Sequence, residues 1–335
     1  MSIMDDWNYP LVTIGLTTYN RPDFLRESVN SVLNQTYQNF KLLIGNDYPE
    51  TKITFKSLGI EFDERIEIFN FEKNIGEINN LNFLLNKSDK GWFTWLADDD
   101  IFHESFLESL IKSSVRLDEK IVAVYCPYIS GEIPGKEFFT QKLSNISTQL
   151  NAVDFISKYL SKKFKIVGCY GLMDSEKLKE IGGFPSLGPF EGSYADTLIP
   201  ILLSPHGDLI ILNDPLVFYR THIESYSSWV ADLNHYTSAE PDCLNKITEV
   251  LERTVSIREK NKFIYLMVRW FTENEFAVLF RVKPGSKPLI FIEKLSLLLG
   301  LLIYQLKFNY PRIKFRYWIA HTVHIIKLIT GFFFH

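Results

Sequence analysis

Between residues 11 and 126, short apolar runs alternate with longer stretches whose apolar residues recur at helical spacing. LVTIGLT (11–17), FKLLIGND (40–47), RIEIFNF (65–71), WFTWLA (92–97) and KIVAVYC (120–126) read as strands. PDFLRESVNSVLNQ (22–35) gathers Phe24, Leu25, Val29, Val32 and Leu33 on one side of a helix. IGEINNLNFLLNK (75–87) and ESFLESLIKSSVRL (104–117) are amphipathic in the same way. Strands alternating with helices imply parallel pairing in a sheet covered on both faces, an α/β fold. Residues 127–165 are less regular, with SGEIPGKE as a loop. Structure resumes at VGCYGLM, followed by a short helix at SEKLKEI that Gly182-Gly183 closes. DTLIPILLSP reads as helix despite Pro200, and DLIILNDPLVFYRTH as strand, turn, strand. From about Leu244 the pattern is mainly helical, which predicts an α/β domain over 1–235 and a helical region over 236–335.

Composition leaves that picture intact and adds one asymmetry. With 46% apolar and 23% charged residues the chain is of globular type, and a formal net charge of −4 argues against a nucleic-acid binder. From Arg281 onward nine Lys or Arg face the single acid Glu293, so +8 falls in the tail and −12 before it. A basic, apolar tail on an acidic body suggests two environments. Cys126, Cys169 and Cys243 are too few and too scattered for a disulfide framework, and read as buried thiols of a reducing compartment. The opening MSIMDDWNYP lacks the basic-then-apolar layout of a secretory signal, which points to a cytoplasmic body.

Ligands of open parallel sheets bind beyond the carboxyl ends of the strands. Four successive strand exits here deliver polar groups: Thr17 to Arg21, Asn46 and Asp47, Asn70 with Asn74 a little later, then Asp98, Asp99 and Asp100. Three adjacent carboxylates raise one another's pKa unless a cation compensates. Oxygen-only ligation suits Mg²⁺ or Mn²⁺, and an alternating Asp98-x-Asp100 can offer two side chains to one such ion. The competing reading makes one of these acids the N-cap of the helix that follows.

The ordered set TIGLTTYNRPDFLRESVNSVLNQTYQNFKLLIGND, NIGEINNLNFLL and WFTWLADDDIFHESFLESL resembles the family 2 glycosyltransferases of GT-A fold, over roughly the first 225 residues. The resemblance implies a Rossmann-like, mostly parallel sheet flanked by helices. It also implies transfer of a sugar from a nucleotide-activated donor, usually with inversion and with Mg²⁺ or Mn²⁺. Thr18, Tyr19, Asn20 and Arg21 match the family's nucleotide-cradling loop, and Asp47 its base-binding acid. A carboxylate suits the N3–H of uracil or thymine but equally the N–H donors of guanine. Asn74 and Gly76 match the family's N-x-G. Asp98 falls to the ribose or metal-bound water, Asp99 to the same donor-binding set, and Asp98 and Asp100 to the metal, with Asp100 the direct ligand. GGFPSLGPFEGSYADTLIPILL resembles the family's Gly-Gly-Phe and acidic pair; Ala195 replaces the first acid, so Asp196 aligns with the catalytic base and Glu191 stands behind it. In VFYRTHIESYS, Arg220 is a candidate to neutralise the diphosphate and His222 a third metal ligand, or a structural histidine.

The tail segments PLIFIEKLSLLLGLLIYQLKF and FRYWIAHTVHIIKLITGFFFH are broken by charge before they reach spanning length. They suit helices lying in the headgroup region, or a helical subdomain packed on protein. The expected partners are a nucleotide-sugar donor, UDP-sugar foremost, and a glycan or lipid-linked acceptor. Also expected are a peripheral place at the inner face of the cell membrane and no nucleic acid, with a homo-oligomer left open. A catalytically silent sugar-nucleotide-binding scaffold is the alternative, supported by Ala195 alone. A nucleotidyltransferase ranks lower, since LTTYNRP has no Gly cluster for a phosphate loop.

Overall fold

A computed structural model describes residues 10–114, 120–189, 192–222, 233–280 and 324–325. The chain divides into two compact units, the first made of Met1–Ala152, Phe164–Ser186 and Ala195–Thr221, the second of Val153–Lys163, Leu187–Tyr194 and His222–His335.

The first unit holds an eight-stranded sheet of order β3-β2-β1-β4-β9-β6-β10-β8. Its members are β1 (Val12–Thr18), β2 (Phe40–Asn46), β3 (Ile66–Asn70), β4 (Trp92–Ala97), β6 (Ile121–Tyr125), β8 (Ser147–Leu150), β9 (Gly171–Asp174) and β10 (Asp208–Leu212). All seven residues of β1 are buried, as expected of a central strand with helices on both faces. The β1–β2, β2–β3 and β1–β4 ladders are parallel, while β9 and β8 run antiparallel to their neighbours. The alternation of strand and helix foretells the parallel half. Of the two antiparallel strands, β8 comes from the irregular stretch after β6, where periodicity is weak, and β9 from VGCYGLM just beyond it. A three-stranded sheet, β5 (Ile101–Phe102), β11 (Val217–Arg220) and β7 (Tyr128–Gly131), lies beside the acidic turn.

Helix α1 (Pro22–Leu33) starts on a proline whose fixed φ suits the first turn. It buries Leu25, Val29 and Val32, each contributing about 1.5–3 kcal/mol by leaving water. It is followed by α2 (Phe55–Leu58), α3 (Glu77–Lys87), α4 (Phe106–Ser114), α5 (Lys136–Thr140), α6 (Ala152–Leu160), α7 (Ser175–Glu180) and α8 (Ala195–Leu203). Pro200 sits inside α8. Having no N–H, it frees the carbonyl of Asp196 four residues back. Gly168 makes room for the result: a Cβ there would lie 1.9 Å from that carbonyl oxygen and 2.6 Å from the Pro200 ring.

The second unit is built on α6 with α9 (Leu233–Thr254) and α10 (Ile257–Phe280), which pack against each other. Leu244, Ile247, Leu251, Phe263, Met267 and Phe271 are buried within it. Glu273 of α10 receives Lys162 at 2.5 Å and Arg269 at 3.0 Å, with His324 Nε2 also at 3.0 Å. Cys126, Cys169 and Cys243 are buried and none is disulfide-bonded. Among the described residues no helix is long and apolar enough to cross a membrane. The two tail segments singled out in the sequence lie outside the described residues, His324 and Ile325 excepted.

Candidate active site

Parallel register brings Thr18, Asn46 and Asn70 level at the carboxyl edge, with Thr17 level with Ala97. The polar strand exits expected from the sequence therefore share one edge. Asp98–Asp100 follow Ala97 directly and are buried. Asp98 Oδ2 accepts from the Thr18 hydroxyl at 2.7 Å and from the Tyr19 N–H at 3.2 Å, and its Oδ1 from Arg21 at 3.1 Å. The same Arg21 nitrogen donates to Asp99 at 3.1 Å. Asp100 Oδ1 accepts the backbone N–H of Arg220 at 2.7 Å, and its Oδ2 the Tyr170 hydroxyl.

Asp98 and Asp100 are held against their electrostatic preference. Burial, then the charge of Asp99, pushes the Asp98 carboxyl up to about 6 despite Arg21 and Thr18. Burial and Asp99 likewise raise Asp100 well above the ordinary carboxylate range. Two further acids share this field. Glu77, in the first turn of α3, keeps open surface yet lies deep among protein atoms. Loss of surrounding water, then the charges of Asp98 and Asp99, raises it to about 7. Asp196 combines open surface and depth in the same way, and burial raises its carboxyl against hydrogen bonds from Thr197. Asp196 is among the charges that lift Glu77.

The remaining expected residues fall nearby with particular tasks. Asp47 accepts the N–H groups of Ile75 and Gly76 at 2.7 and 2.8 Å, fixing the entry to α3. Asn74 Oδ1 shares the Gly76 donor at 2.8 Å, and Gly76 takes φ +85°, which glycine permits. Tyr19 is half exposed and meets the ring of Tyr48 edge-on at 5.2 Å. Asn20 adopts φ +55°. The guanidinium of Arg220 lies 2.5 Å from Glu27 and 4.6 Å over the Phe24 ring, both on α1. A diphosphate role for Arg220 would require that guanidinium to leave Glu27. His222 belongs to the second unit, and Glu191 lies outside the described residues.

Sequence reading missed Glu77, Tyr170, Glu27 and Ser28. Only Ser28 left a clear trace, as a polar residue within the apolar periodicity of α1.

Among the described residues no three His, Cys, Asp or Glu side chains are gathered as a metal-holding group. The donor chemistry around Asp98 and Asp100 nevertheless fits a hard divalent cation, being all carboxylate with its negative charge under-compensated.

The glycosyl transferase family 2 profile matches residues 13–181, from β1 to just past α7. The chain belongs to that family. An uncharacterized glycosyltransferase of Rickettsia typhi is 30% identical over 52% of this chain and 54% of its own length. The Escherichia coli UDP-Glc:alpha-D-GlcNAc-diphosphoundecaprenol beta-1,3-glucosyltransferase WfgD is 32% identical over 42% of this chain and 54% of its own. This chain thus spans about half the length of such relatives. Among solved structures, the mannosyltransferase PcManGT of Pyrobaculum calidifontis, in complex with GDP-Man and Mn²⁺, matches with TM-score 0.50 at 14% identity. The match covers 96% of this chain and 86% of that one. That likeness is one of fold, and the fold is GT-A.

Proposed function

We propose that the chain is an inverting, metal-dependent glycosyltransferase that moves a sugar from a nucleoside-diphosphate donor to an acceptor hydroxyl. The observation that carries this reading is the convergence of Asp98, Asp99, Asp100, Glu77 and Asp196 on one sheet edge of a family 2 chain. Thr18, Tyr19, Asn20, Arg21, Asp47, Asn74 and Gly76 line the nucleotide's side of that edge. Tyr19 offers a ring face to the base, and Asp47 orders the backbone beside it. Asp98 and Asp100 would hold a divalent cation. When bound, that ion supplies positive charge beside the departing diphosphate. Arg21, already on Asp98 and Asp99, adds a fixed cation. Asp196 takes the proton of the acceptor hydroxyl as it attacks the anomeric carbon from the opposite face. Its raised pKa brings it nearer working pH, where a base transfers protons best.

The E. coli relative's name, with its UDP-Glc donor and diphosphoundecaprenol-linked acceptor, supports a UDP-sugar and a lipid-linked glycan as the partners here. Such an acceptor fits the basic, aromatic tail, which we place at the cytoplasmic face of the membrane. Flotation of the intact chain with anionic vesicles, absent with neutral ones, is the expected outcome; recovery as soluble protein in both removes the membrane placement.

The test of the reaction itself is a panel of UDP-, GDP- and dTDP-sugars offered with Mn²⁺ and a polyprenyl-diphosphate-linked acceptor. One donor should release its nucleoside diphosphate, and Asp100→Ala should abolish that release. Donor binding with no turnover across the panel would instead favour the silent scaffold.

A further inference from the structure

We infer that one stripe of α1 shapes the Asp98–Asp100 turn for a divalent cation, and that Ser28 is the positioning residue at its centre. This rests on the metal reading above and adds residues that the reading does not contain.

The stripe is polar where an amphipathic helix would be apolar. Ser28 and Ser31 are buried three residues apart on one face of α1, and Gln35, just past the end of the helix, is buried below them. Each is paired with the backbone of residues 98–107. The Ser28 hydroxyl lies 2.9 Å from the carbonyl oxygen of Asp98 and 2.6 Å from that of Asp100. It has one proton to give, so it gathers both carbonyls around a single donor. Ser31 accepts the Phe102 N–H at 3.2 Å. Gln35 donates to the His103 carbonyl at 2.8 Å and accepts the Leu107 N–H at 3.0 Å.

Either side of this ladder, α1 reaches the acidic side chains. Arg21, at its N-cap, contacts Asp98 and Asp99. Glu27 and Phe24 clamp the side chain of Arg220, whose backbone N–H then meets Asp100 at 2.7 Å. All three acidic side chains are therefore tied to α1 or its N-cap, two through Arg21 and one through Arg220.

Buried polar side chains cost stability unless paired, and apolar ones would fill the same helix face. What the ladder provides is a fixed backbone beneath carboxylates that repel one another. Outer partners of ligating carboxylates set their orientation, and losing one typically weakens metal affinity about 10–100-fold. Ser28 and Glu27 touch no donor or acceptor in this scheme; they act through the turn.

The test uses the full chain and Mn²⁺ alone, with bound ion counted by the loss of the free-ion electron paramagnetic resonance signal. UDP affinity in chelator serves as the second reading. Ser28→Ala should weaken Mn²⁺ binding about tenfold or more while metal-free UDP affinity stays unchanged. Glu27→Gln, at a half-exposed position that leaves the core intact, should weaken it in the same sense. If wild type fails to bind Mn²⁺, the metal reading and this inference fall together. If wild type binds and both variants bind equally well, the inference alone is overturned. Loss of metal-free UDP affinity in parallel with Mn²⁺ affinity would also overturn it, since that marks general damage to the fold.

Discussion

Asp98, Glu77 and Asp196 carry carboxyl groups in surroundings that resist their ionisation, and the resistance has a measurable sign. Unfolded, Glu77 titrates near 4.5; folded, it does so at about 7. Between those values the folded chain keeps a proton that the unfolded chain has lost, so stability falls as pH rises through the window. Asp98, moved from 3.8 to about 6, adds to the same trend. Glu77→Gln cannot ionise. Scanning calorimetry from about pH 5 to about pH 7.5 should show a smaller drop in melting temperature for the variant, which ends above wild type. Parallel slopes would contradict the placement of Glu77 among the site acids. Asp196→Asn keeps the shape of its side chain and removes the carboxylate proposed as the base. Transfer should fall by roughly 10²–10⁴-fold while calorimetric donor affinity changes little; transfer at the wild-type rate removes Asp196 from that role. Asp98 was visible in the sequence because it follows a strand, and Asp196 because its segment resembles the family's. Glu77 was not, because its importance comes from facing Asp98 and Asp99, elements far apart in the chain.

At the scale of elements, β1 to β4 and the helices between them follow directly from periodicity and turn chemistry. Pro22 opening α1 and Gly182-Gly183 closing the region of α7 are examples. Helix α8 is harder to read, since a proline inside a helix ordinarily argues against it. What permits it lies in another segment: Gly168 leaves space for the carbonyl that Pro200 cannot bond. Gly168→Ala should therefore destabilise the fold by about 1–3 kcal/mol, read from denaturant unfolding, and lower transfer by displacing the turn that carries Asp196. An unchanged midpoint would show that the close approach is relieved without cost. The polar stripe of α1 was hidden for a related reason. Serines on an apolar face, and a buried glutamine just past the helix end, look like interruptions until their backbone partners at residues 98–107 are known.

For the whole molecule, the second unit is gathered from separated stretches of chain, Val153–Lys163, Leu187–Tyr194 and His222–His335, which local pattern cannot link. Its best-defined electrostatic feature is Glu273. Burial works against that carboxylate, but hydrogen bonds from His324 and Lys162 prevail and bring it down to about 2. A depressed carboxylate stabilises the fold above its unfolded value of 4.5, and the gain disappears as pH falls toward 2. Glu273→Gln should thus cost roughly 1–3 kcal/mol near neutral pH and progressively less in acid, by unfolding at stepped pH. A cost independent of pH would mean that packing, not charge, is what Glu273 provides.

The reading of this family 2 chain as a metal-dependent transferase meets its most direct test in calorimetric titration with sugar nucleotides, run with Mn²⁺ and again in chelator. Binding of at least one sugar nucleotide should strengthen markedly with the ion, and Asp100→Ala should erase the difference. Identical affinities with and without Mn²⁺ or Mg²⁺, or none at all, would contradict it.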